Sequence, residues 1–98
     1  MGMSNRVCKC IESLQGLLVN SAMTLHHSSA GQWDLAETGL RRAMKRLEKL
    51  EECLGKRLDA TRKLISEADK SIKAKEKVLL PYYLVASLSS AISETCEE

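Results

Sequence analysis

Between Ala36 and Leu79, apolar side chains return at alternating intervals of about four and three residues. The run Ala36, Leu40, Ala43, Leu47, Leu50, Leu54 slips by about one residue and resumes as Leu58, Thr61, Ile65, Ala68, Ile72, Lys75, Leu79. A helix turns once in about 3.6 residues, so this spacing gathers a narrow stripe on one face, the pattern of a helix lying along another helix. A strand alternates every second residue and does not produce it. Polar and charged residues dominate the positions between, which leaves stripes for neighbouring helices and no pocket lining.

The residue types agree with that reading. Aromatics make up 3% of the 98 residues and Phe is absent, so a core must be built from Leu, Ala, Ile, Val and Met. Helices use these side chains well, whereas sheets favour β-branched and aromatic ones. One Pro and five Gly fit a few long elements with few turns. The expectation is all-α: an antiparallel helical bundle of three long helices plus a short C-terminal helix. It forms one domain over residues 1–98, with helices at about 5–28, 33–54, 57–80 and 82–93.

The first helix starts near Ser4 or Asn5, either of which can cap its first amides. Val7, Ile11, Leu14, Leu18, Ala22 and Leu25 line one face, with Cys10 and Leu17 beside it, and Gly16 suits a close approach by another helix. The polar run His26 to Gly31 reads as helix end and loop. Trp33 then stands at the start of the second helix, with Asp34 and Glu37 favouring the positive end of its dipole. Gly55 is a natural left-handed stop. A competing possibility is one helix running through Gly55 from Trp33 to Leu80, with the slip in phase as a stutter; that rod would exceed ~70 Å and imply a dimer. The third helix, Lys56 to Leu80, carries Asp59 with Lys63 and Asp69 with Lys73 as acid-before-base pairs. Pro81 blocks smooth continuation. Tyr82 to Ser93 forms a nearly uncharged helix, apolar on most faces, that needs a protein surface; it reads either as a fourth wall or as a detachable lid. Glu94, Glu97 and Glu98 make an acidic tail.

Candidate chemistry is thin. The balance of 15 Lys+Arg against 13 Asp+Glu gives +2, far from the profile of a dedicated nucleic-acid binder. Arg41, Arg42, Lys45, Arg46 and Lys49 form a basic cluster without interleaved aromatics, which reads first as a solvated face and next as a docking surface for an acidic protein patch. Cys8 and Cys10 point about 160° apart on a helix, so with His26 and His27 they make a poor metal site. No nucleophile–base–oxyanion arrangement and no phosphate-binding glycine loop is present. The expectation is therefore no catalytic residue, no cofactor, no metal and no nucleic acid. The apolar run Val78 to Ala86 is too short for a membrane span. Four Cys without a signal-peptide pattern point to a reducing cytosol and free thiols; Met1-Gly2 ahead of Met3 reads as a cloning remnant.

Gly31-Gln32-Trp33-Asp34-Leu35, followed by Glu37, Leu40, Leu47 and Leu50, resembles the second helix of FliT-type flagellar export chaperones. In that family a Gly-x-Trp-(Asp/Glu) start follows a polar loop and leads into a helix of Leu and charged residues. Arg57-Leu58-Asp59 through Lys73, Lys75 and Tyr82 is similar to the family's third helix. The likeness spans about residues 5–93 in outline. This chain differs in having Gly55 without prolines ahead of the third helix, and in its cysteine count. The resemblance implies a small cytoplasmic chaperone that binds a helical region of a secreted protein and delivers it to a flagellar or type III export apparatus, through an export ATPase or gate. Leu40, Leu47, Leu50, Ile65 and Ile72 would line its groove, near Trp33, and Leu84, Val85 and Leu88 would belong to a covering lid. The alternatives are a structural coiled-coil or bundle protein acting through homodimerisation, and a small nucleic-acid-binding regulator using Arg41 to Lys49.

Overall fold

The computed structural model describes the backbone of residues 2–96 and the side chains of residues 10–88. Within them every regular element is an α-helix: α1 Gly2–Ser29, α2 Trp33–Leu54, α3 Asp59–Lys73 and α4 Leu80–Cys96. α1 packs against α2 and α4, and α3 packs against α2 and α4, so the four close into a ring around one apolar core. The molecule measures 46 × 19 × 18 Å. Its long dimension is set by the 28 residues of α1, which rise about 42 Å.

The seam faces inward as its spacing requires. Ala36, Leu40, Ala43, Leu47 and Leu50 of α2 are buried, as are Thr61, Ile65, Ala68 and Ile72 of α3, with Leu58 just ahead of it. Lys75 and Leu79 of the same series are exposed, because α3 stops before reaching them. The slip in phase is a turn. Gly55 adopts φ 73°, and the amides of Gly55 and Lys56 donate to the Glu51 carbonyl at 2.9 and 3.3 Å. A residue without Cβ takes that left-handed conformation at least cost. The continuous rod is excluded.

α3 ends seven residues earlier than its apolar periodicity suggests, at Lys73 rather than Leu80. The stop is Lys75, at φ 60°, whose amide donates to the Ile72 carbonyl at 2.9 Å while the Glu76 amide donates to Ser71 at 2.8 Å. This pairing closes a helix through a left-handed residue, and here no glycine announces it. The last helix is consequently not the short one: α4 has 17 residues and α3 has 15. Pro81 lies in the first turn of α4, where its missing N–H costs nothing.

α1 turns a different face inward from the one its large side chains suggest. Leu17 is buried together with Ser21, Thr24 and Ser28, while Ile11, Leu14, Leu18 and Leu25 sit on a half-buried shoulder and Ala22 is exposed. The buried hydroxyls are satisfied within the helix, Ser21 donating to Leu18 at 2.8 Å, Thr24 to Asn20 at 2.9 Å and Ser28 to Leu25 at 3.1 Å. Small, self-satisfied side chains let α2 come close. A Cβ at Gly39 would lie 2.7 Å from the Thr24 hydroxyl and 3.4 Å from the Asn20 carbonyl oxygen, so the tight approach is made by α2's own glycine. Gly16, expected to serve that purpose, instead faces the Arg46 stem. The helix also begins at Gly2, ahead of Ser4 and Asn5, whose side chains, like those of Val7, Cys8 and residues 89–98, lie outside the described ones.

Cys10 and Cys53 form a disulfide with Cα atoms 5.7 Å apart, which overturns the expectation of free thiols for these two. On α1, Cys10 stands one heptad before Leu17 and so points inward toward the end of α2. Closing a loop of 43 residues restricts the unfolded chain by about 4 kcal/mol in the loop-entropy picture.

The two mid-helix glycines should respond differently to substitution in urea unfolding. Gly39→Val should cost about 1–3 kcal/mol by forcing α2 off α1. Gly16→Ala meets only a flexible arginine stem and should be neutral or gain up to about 1 kcal/mol from helix propensity.

Candidate functional site

As far as Leu88, where its side chains are described, α4 is joined to the rest of the protein mainly through apolar contacts. From Leu80 to Ser93 it carries no charged residue. Leu80, Leu84 and Leu88, four apart, form one buried stripe within the common core. Two polar contacts accompany the stripe. The Thr61 and Ser87 hydroxyls lie 3.0 Å apart, joining α3 to α4, and the Val78 amide donates to Ser28 at 3.3 Å, tying the preceding connection to the end of α1. The outer face of α4 is also apolar: Tyr82, Tyr83 and Val85 are 68%, 54% and 56% exposed. Beside Tyr83 a hollow of about 430 Å³ opens between α3 and the connection, floored by Leu64, Ala68 and Val78.

The residues expected to line a partner groove occupy different places. Leu40, Leu47, Leu50, Ile65 and Ile72 are buried, so the seam is already filled by the protein's own helices. Leu84 and Leu88 are buried with them, whereas Val85 points outward. Trp33 is half-buried against the core at the start of α2. The arrangement also relocates the seat of the last helix. α4 lies against α1 and α3 rather than in a channel between α2 and α3.

The basic cluster divides between two sides of α2. Arg41 reaches Glu37 at 3.7 Å and borders a hollow toward α3 together with Met44, Ile65 and Lys73. Arg42, Lys45, Arg46 and Lys49 line a shallow cleft toward α1 with Asn20. Glu51, which the sequence pattern does not single out, ties two elements together: one carboxylate oxygen pairs with Arg62 and the other accepts the Leu58 amide at 2.9 Å. It thereby stitches the end of α2 to the start of α3, which has no side-chain cap of its own. The Asp69–Lys73 pair forms at 3.0 Å, but Asp59 pairs with Arg57 at 3.3 Å instead of Lys63.

Among the described residues no three His, Cys, Asp or Glu side chains converge as a metal site, and no helix is long and apolar enough to cross a membrane. The chain matches no family model, no curated protein and no solved structure. What the geometry can do is present helix-shaped apolar surface, either on the outside of α4 or beneath it.

Since Leu84 is fully enclosed and central to the buried Leu80–Leu84–Leu88 stripe, Leu84→Ala should lower stability by about 2–5 kcal/mol in chemical denaturation. Val85→Ala, on the exposed face, should change it by no more than about 0.5 kcal/mol.

Proposed function

We propose that this protein is a small, non-enzymatic export chaperone of the flagellar or type III secretion kind, and that α4 is its displaceable cover. The single observation behind this reading is the character of the α4 attachment: a leucine stripe and two hydroxyl contacts, with no ion pair among the described residues. A helix held this way can be exchanged for another amphipathic helix of similar apolar face, since the replacement restores the same burial. Displacement would uncover core side chains on α1 and α3, and a helical region of a secreted protein would occupy the vacated place.

The reading assumes an antiparallel bundle. Contacts between α1 and α2 support it, running from Cys10 with Cys53, through Gly16 with Arg46, to Thr24 with Gly39. Delivery to an export ATPase or gate, and a cytoplasmic setting, rest on the resemblance of the Gly31 to Leu35 and Arg57 to Asp59 segments to FliT-type chaperones. The Cys10–Cys53 bridge pulls against the cytoplasmic part, because structural disulfides persist in oxidising compartments.

A second reading, homodimerisation, draws on Tyr82, Tyr83 and Val85, whose shared exposure within about one turn is unusual for an isolated monomer surface. Sedimentation equilibrium separates the two, since a dimer disrupted by Tyr82→Lys with Val85→Lys favours it over the cover.

The decisive experiment uses a labelled peptide spanning residues 80–96 as the stand-in for a client helix. Protein truncated before Tyr82, and still helical by circular dichroism, should bind the peptide and should capture secreted proteins from lysate more strongly than the intact chain. Unchanged or lost binding in a folded truncation contradicts the cover.

A further inference from the structure

Four cations on one face of α2 have no ion-pair partner among the described residues. Arg42, Lys45, Arg46 and Lys49 are exposed, and no ion pair or hydrogen bond involves them among the described residues. Four other cations do form ion pairs: Arg41 with Glu37, Arg57 with Asp59, Arg62 with Glu51 and Lys73 with Asp69. The four also repel one another. Arg42 with Arg46 and Lys45 with Lys49 are like charges four residues apart, an arrangement that destabilises a helix by a few tenths of a kcal/mol per pair.

Their surroundings form a concave site. With Asn20 of α1 they line a cleft of about 430 Å³, and no carboxylate faces into it. Gly16 shapes its floor. A Cβ there would lie 2.9 Å from Arg46 Cδ and 3.0 Å from Nε, so the missing side chain lets the Arg46 stem rest on α1. Asn20 is fixed by donating its side-chain amide to the Gly16 carbonyl at 2.7 Å.

We infer that this cleft docks an acidic amphipathic helix of another protein. The cations stand at i, i+3, i+4 and i+7, a stripe of two helical turns rising about 10 Å. A partner helix with Asp or Glu at the same intervals places its carboxylates opposite them, and the α1–α2 cleft gives that helix a bed. Nucleic acid fits less well. No aromatic platform lines the cleft for unstacked bases, and the stripe is too short to follow more than a few phosphates. No residue of α4 lines the cleft, so it stands whether or not α4 is displaceable.

The test titrates the intact protein with two synthetic helical peptides of about 20 residues. One carries four Glu in a single i, i+3, i+4, i+7 stripe, and its isomer carries the same four spread around the helix. Single-stranded DNA of similar charge is the third probe. The striped peptide should bind about tenfold or more tightly than its isomer, and more tightly than the DNA. Arg42→Glu with Arg46→Glu, both at exposed positions, should remove that preference. On the unaltered protein, the striped peptide should shift the Asn20 side-chain amide and Arg46 Nε–H resonances. Equal binding of both peptides, tighter binding of DNA, or shifts confined to other helices overturns the inference.

Discussion

The close contact of α1 with α2 is the constraint on which the remaining structure depends. Gly39 meets Thr24 and Asn20 so closely that any added side chain would force a shift, and the Cys10–Cys53 bridge closes the far end of the same pair. With these two helices fixed, the Gly55 turn and the Glu51 contacts to Arg62 and Leu58 determine where α3 can lie. Only α4 is then left to be placed. Among the described residues its position follows mainly from burial of Leu80, Leu84 and Leu88.

This gradient of attachment has a physical basis. Covalent and close-packed contacts resist local opening, because displacing α1 from α2 would strand buried groups and leave cavities. A helix held by a single apolar stripe loses only its own burial when it leaves, and a substitute helix returns it. The α1–α2 pair thus serves as a platform, with a helix held by a leucine stripe packed on α1 and α3 and a cleft lined by four cations between α1 and α2.

The amino-acid sequence made the stripes of α2 and α3 legible because their large apolar residues and their burial coincide. Three inward positions on α2 and two on α3 are Leu or Ile, and the turn at Gly55 carries the residue its conformation demands. α1 misled for the opposite reason. Its inward face is lined by Ser21, Thr24 and Ser28, whose hydroxyls bond their own helix, so hydropathy pointed to the shoulder of Leu14, Leu18 and Leu25. The heptad interval from Cys10 through Leu17 to Thr24 was the signal that could have placed it. The early end of α3 was hidden because Lys75 occupies a left-handed position usually given to glycine. The basic run was visible, but its division between Arg41 and the other four required knowing which flank of α2 α1 covers.

Native-state hydrogen exchange on the unaltered protein tests the central claim most directly, since it reports the free energy at which each helix opens. The account predicts that α4 amides from Tyr83 to Leu88 exchange through a partial opening of lower free energy than those around Leu17 and Leu47. Equal protection across all four helices, with α4 opening only on global unfolding, would contradict it.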